Sequence, residues 1–264
     1  PHAAVKRAWF ALLLFACSAA AEAGTTCTTK DATPQAIAAA AATARAVSAA
    51  LDARDRSVAL VARVGTDLSK YGLRYSHVGF VLRDHPDGRW TVVHELNACG
   101  TARSSLYAQG LVNFFVDDLV AQDAKIVWPD DETSAALVAL LTRDPSRIHD
   151  ADYSVIARFG SAKYQNSTAW VLETIGAAEA GARTRGEAQA WVAAQGFRPD
   201  VLHIPYSQRV LGGLFSANAA FTDHSLGARL GGEYRVVTVR SIFRFLADAQ
   251  RVAAVAVIGR DGGD

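Results

Sequence analysis

Across 264 residues, half of them apolar, the chain carries 27 basic against 26 acidic side chains, 3 cysteines and no methionine. That length and apolar content can bury a substantial core, as one large domain or two small ones. A balance so near neutrality, without a basic stripe, argues against a nucleic-acid partner, whose phosphates demand a cationic excess.

Residues 1–23 read as a secretory signal: Lys6-Arg7, an apolar run over 8–16, then small residues ending in Ala21-Glu22-Ala23. The run is too short to span a bilayer and no later stretch is long enough, so the expectation is an exported chain without a transmembrane span, periplasmic or secreted. A rival reading takes Leu14-Phe15-Ala16-Cys17 as a lipoprotein site with Cys17 lipidated, but Phe15 is bulky for such a site. Loss of Lys6, Arg7 and Glu22 with the signal leaves acidic and basic residues equal in number. Cys27 and Cys99 then remain, and in an oxidising compartment such a pair is expected as a disulfide. Neither has a CxxC neighbour or a ligand-like histidine spacing, so no metal and no other cofactor is expected.

After Thr33, an N-cap residue, Pro34 opens an Ala-rich helix that reaches Leu51. Residues 57–68 repeat a helical spacing through Val58, Val61, Ala62 and Leu68, which makes N-terminal helices of residues 33–68. Two β-rich runs, 76–82 and 90–96, then flank Asp84-His85-Pro86-Asp87-Gly88 and predict a hairpin. Cys99-Gly100-Thr101 marks a turn, and 111–118 is a mixed aromatic segment. Residues 125–128 read as a short strand ended by Pro129, and 130–143 as a helix with acidic residues at its start. Residues 153–160 are a loop or short strand, before a helix opening at Asn166-Ser167 with Trp170, Val171, Ile175 and Ala178 at helical spacing. A helix over 184–195, a loop with a short extended segment over 196–204, a strand over 234–240 and a helix over 241–249 complete the core, followed by a disordered Gly-rich tail over 261–264. The whole of 24–264 is read as one α+β domain, with its core over 71–245.

The polar residues on the hairpin require an explanation, because inward-pointing polar groups among apolar neighbours are costly without a partner. An odd turn of Pro86-Asp87-Gly88 would put His77 and Glu95 on one face and His94 on the other; only an even loop or a bulge would bring His94 beside His77. A histidine and a glutamate so placed suit general acid–base work, although a single buried histidine is as readily a core residue bonded to backbone.

Histidine and glutamate on consecutive strands, followed some 70 residues later by a small polar residue at a helix start, resemble the circularly permuted NlpC-like branch of the papain-like thiol hydrolases, which includes the lecithin:retinol acyltransferase relatives. The matching residues are Ser76-His77-Val78-Gly79 and Asn166-Ser167. Over roughly residues 27–245 the chain also resembles a family of secreted bacterial proteins of unknown function, through DLSKYGLRYSHVGF, VVHELNACGT and YQNSTAWVLET. The resemblance implies a small antiparallel sheet packed against helices, with His77, Glu95 and Ser167 converging in a cleft that His94, Asn166, Tyr75 and Tyr164 line. It implies acyl transfer or hydrolysis at an amide or ester of a cell-wall peptide or lipid, with Ser167 as nucleophile, His77 as base and Glu95 orienting it.

Ser167 stands where those hydrolases have cysteine, and a hydroxyl is far less acidic than a thiol. The second reading is therefore a catalytically silent binding protein that keeps the cleft for a small-molecule, peptide or lipid ligand. A metal site from His77, His94, His203 and His224 is a weaker third, and Asp223-His224 reads as a solvated turn.

Overall fold

A computed structural model describes residues 31–117, 119–206 and 218–259. The expected signal, Cys17, Cys27 and the tail over 261–264 lie outside the described residues. Helix α1 spans Pro34–Asp52; the Thr33 hydroxyl accepts the Ala36 N–H at 3.1 Å, and Pro34 sits in the first turn where no donor is needed. Ala40, Ala44, Val47 and Leu51, spaced by three and four, form its buried stripe.

Six antiparallel strands make the main sheet: β1 Val58–Val64, β2 His77–His85, β3 Gly88–Asn97, β4 Ser104–Gln109, β5 Ala121–Pro129 and β8 Val252–Ile258, in the order β4-β3-β2-β1-β5-β8. Strands β6 (Asp200–His203) and β7 (Glu233–Val236) pair separately. The helix expected over 57–68 is therefore corrected to strand β1. All seven of its residues are buried, and a short apolar run covered on both faces has no alternation to distinguish it from a helix. Strands β4 and β8 are edges, with too little apolar alternation to stand out in the sequence.

Among the described residues the remaining α-helices are α2 Leu111–Val116, α3 Asp131–Arg143, α4 Ser167–Ala180, α5 Arg185–Ala194, α6 Leu226–Gly231 and α7 Val239–Asp248. The strand expected over 234–240 ends at Val236, because Thr238 and Ser241 form a reciprocal capping box that starts α7. The fold is α+β, a sheet with helices on both faces. Among the described residues no helix is long and apolar enough to cross a membrane.

Alternation along the strands builds two cores. Leu60, Ala62, Val78, Phe80 and Val93 face α4, α3 and α7; Ala59, Val61, Val81, Val92 and Ile126 face α1 and α2. Each fully buried Leu, Val or Phe contributes about 1.5–3 kcal/mol, so both layers hold the sheet. Helix α4 is buried all round from Thr168 to Ala177. At Gly176 a Cβ would lie 2.7 Å from the Ala188 carbonyl oxygen, so only glycine lets α4 and α5 approach this closely.

Candidate functional site

The hairpin decides which side chains can meet. Its turn is two residues long, Pro86-Asp87, with His85 paired to Gly88, and the register continues as Val81↔Val92 and Phe80↔Val93. Glu95 therefore shares a face with Phe80 and Val93, toward α4, whereas His94 shares one with His77, Gly79 and Val81, toward α1 and α2. The expected pairing of His77 with Glu95 is overturned: an even turn inverts the parity that an odd turn would have given.

On the α1–α2 face, His77 Nε2 lies 2.8 Å from His94 Nδ1, and His94 Nε2 lies 3.0 Å from Gln109 Oε1. Phe114 packs against both rings. Gly79 makes the room: a Cβ there would come within 2.9 Å of the His94 Cβ. Arg63, opposite His77 on β1, is also buried; its guanidinium donates to the Phe114 carbonyl and to Asp117 Oδ2 and lies over the Phe114 ring. Burial and the Arg63 charge push the His77 pKa well down, and the same causes bring His94 to about 4. Both imidazoles are neutral at pH 7.

On the opposite face the Asn166 side chain caps α4, accepting the Ala169 N–H at 2.8 Å, and Ser167 is the first helical residue. Asn166, Ser167 and Thr168 edge a cavity of about 250 Å³ whose walls include Leu73, Tyr75, Ile156 and Val237. Its polar wall includes Ser76, whose hydroxyl accepts the N–H groups of Gly65 and Thr66, both at 2.9 Å. Tyr153 lines the cavity too; burial raises its pKa, as does the nearby Glu95, and the Ser167 hydroxyl offsets part of that rise.

Glu95 is fully buried and, among the described residues, neither carboxyl oxygen has a hydrogen-bond partner. Burial raises its pKa to about 8, and Glu173 and Asp150 add to the rise. Ser104 pulls the other way, but its hydroxyl is directed at the Asp150 carbonyl and at His149 Nε2. At neutral pH this face thus holds the Tyr153 phenol beside Ser167 and the Glu95 carboxylic acid near that phenol, both protonated. Among the described residues no histidine lines the cavity.

Beneath this lies a network that the sequence did not reveal. Arg185 donates from Nε to Glu173 Oε2 at 2.8 Å and from Nη1 to Asp150 Oδ2 at 3.0 Å, while Gln165 and Gln189 donate to the same Glu173 carboxylate at 2.5 and 2.6 Å. The sequence signal was faint: a glutamate within an otherwise apolar helical run. Such a group costs several kcal/mol to bury unless its charge and lone pairs are matched, as they are here.

A family model described as "Uncharacterized protein conserved in bacteria (DUF2145)" matches residues 50–246. The chain belongs to this family. No curated protein and no solved structure matches it. The family match spans the hairpin, the start of α4 and most of α7, while nearly all of α1 and the whole of β8 lie outside it.

The other expected site residues divide between the two faces and beyond. Tyr75 and Asn166 line the cavity with Ser167. His94 stands on the far side with His77, and the Tyr164 hydroxyl meets Thr222 Oγ1 at 2.9 Å away from the cavity. His224 is not in a solvated turn: it is buried, its Nε2 donates to the Ile156 carbonyl at 2.8 Å, and its ring stacks edge-on against Tyr234. His203 is exposed on β6, and among the described residues no three metal-ligating side chains group as the four-histidine site would need. Cys99 lies in the exposed turn after β3, while its expected partner Cys27 is outside the described residues.

Proposed function

We propose that this protein binds rather than hydrolyses: an exported member of its family whose cavity at the start of α4 receives a small, largely apolar molecule with one hydrogen-bonding group, on a variant of the permuted papain-like fold. The observation that carries this reading is the division of the expected triad by the sheet, His77 beneath α1 and α2 and Ser167 at the cavity under α4. A serine nucleophile needs a base to take its proton in the attack, and the Tyr153 phenol beside Ser167 already holds its own. The cavity has the chemistry of a binding site instead, with apolar walls and a few convergent polar groups. Export goes with the signal-like start and with a Cys27–Cys99 bond, which mass spectrometry of the non-reduced protein checks; two free thiols would remove that support.

p-Nitrophenyl butyrate and its non-hydrolysable analogue p-nitrophenyl propyl ether test the reading together. The ether should bind in calorimetry, and Val155→Trp, at a half-exposed position lining the cavity, should weaken it at least about tenfold. The ester should show no turnover that Ser167→Ala removes. Ser167→Cys should gain none either, because a thiol there still lacks the histidine. Ester cleavage dependent on residue 167 in either form overturns the proposal in favour of acyl hydrolysis, and ether binding indifferent to Val155→Trp moves the ligand elsewhere.

A further inference from the structure

Between α7 and the β5–β8 end of the sheet lies a second cavity, of about 500 Å³, within the range of small-ligand sites. Val127, Val252, Val255 and Phe243 give it an apolar floor. The pairs Val127↔Val255 and Lys125↔Val257 put four side chains on one face of β5 and β8, and Val255 and Val257 remain 48% and 43% exposed there. Adjacent exposed valines on an edge strand are an apolar surface that nothing in the chain's described part covers.

The rim of this groove is cationic. Arg74, Lys125, Arg240 and Arg244 line it. Arg74 pairs with Asp123. Arg240 and Arg244 share one carboxylate, at 3.1 Å from Arg240 Nε to Asp200 Oδ2 and 3.0 Å from Arg244 Nη1 to Asp200 Oδ1. Lys125 has no carboxylate partner among the described residues, and its ammonium lies over the Phe243 ring, 5.7 Å from the centroid. Four cations thus meet two carboxylates around an apolar floor. A cluster of this kind repels itself until an anion enters, and partial burial by the walls strengthens the attraction.

We propose that this groove binds an anionic amphiphile, a single molecule whose carboxylate or phosphate head meets Lys125 and the half-neutralised Arg240 and Arg244, and whose apolar body lies along Val127, Val252 and Val255. The site is separate from the cavity at Ser167: Leu73 and Tyr75 stand in the wall between the two, and Lys125 belongs only to this one.

Calorimetry of the full chain with decanoate, decyl phosphate and decyltrimethylammonium, each below its micelle concentration, tests the assignment. Both anions should bind and the cation should not. Lys125→Glu should weaken anion binding at least about tenfold, Lys125→Arg should preserve it, and Val255→Asp, at an exposed position, should weaken it without unfolding the chain, as thermal melts would verify. Val155→Trp, which narrows the other cavity, should leave decanoate affinity within about twofold, so the two proposals fail separately. Equal binding of cation and anions, indifference to Lys125→Glu, or inorganic phosphate binding as tightly as decyl phosphate would overturn the proposal. Binding to phosphatidylglycerol vesicles with none to the monomeric amphiphiles would overturn it too, since the groove would then be a surface for membranes.

Discussion

The two faces of one hairpin solve the same problem in opposite ways. Beneath α1 and α2, two bases are buried beside the Arg63 guanidinium and lose their affinity for protons; beneath α4, a carboxylic acid is buried beside other acids and keeps its proton. Each face neutralises the group whose charge no partner balances: the two imidazoles stay unprotonated, and Glu95 holds its proton at neutral pH. A catalytic constellation would need His77 and Glu95 on one side, and in this register they project from opposite faces of the sheet.

The difference should be visible as opposite pH responses. The largest effect belongs to Glu95. Its folded pKa, about 8, lies above the unfolded value near 4.5, so its contribution is fully present below about pH 4.5 and is lost as pH rises toward 8, by about 4–5 kcal/mol in all. Denaturant unfolding of Glu95→Gln across pH 4 to 9 should show that this loss has gone; an unchanged alkaline limb would mean that Glu95 is ionised in the fold.

Arg185→Leu tests the charge that the same face does keep. It leaves Glu173 buried beside Asp150, and the cost should be about 3–5 kcal/mol at pH 7, partly recovered by adding Glu173→Gln. A cost below about 1 kcal/mol would show that water reaches Glu173.

On the other face the sign reverses. His94 has a folded pKa of about 4 against an unfolded value near 6.5, so the unfolded chain takes up protons first and stability falls between pH 6.5 and 4, by about 3 kcal/mol. His94→Asn should make that acid limb shallower, the rest belonging to His77, while leaving the Glu95 limb unchanged, since the histidines and Glu95 lie on different faces. Loss of both limbs together would break the comparison.

The smallest effects separate the cap from its neighbour. Asn166→Ala removes the acceptor of the Ala169 N–H and should cost about 1 kcal/mol, whereas Ser167→Ala should cost less than half of that. Equal costs in thermal melts would return the capping role to Ser167.

Several elements were legible because their signals are local. Thr33-Pro34, Asn166 and Thr184 begin helices by capping, a matter of one side chain and the nearest N–H groups. The hairpin also followed from short-range pattern, whereas the meeting of Tyr75 with Asn166 and Ser167, some 90 residues apart, was an expectation drawn from the family resemblance. Strand β1 was misread because its coverage on both faces is a property of α1 and α4, distant in the chain. Tyr153 and Arg185 went unnoticed because their partners lie 14 and 12 residues away, beyond any helical or strand period.

An α+β chain with a histidine-bearing hairpin and a helix opening at Asn166-Ser167 can be read from the order of residues, because caps, turns and apolar periodicity act over a few residues. Tertiary structure alone decided which side of the sheet each hairpin residue faces, and with it the company of His77 and Glu95. The reason is geometric: one residue more or less in the turn, Pro86-Asp87 in place of Pro86-Asp87-Gly88, exchanges the faces of one whole strand, and the pairing that chooses between them is fixed by packing against helices far away in sequence.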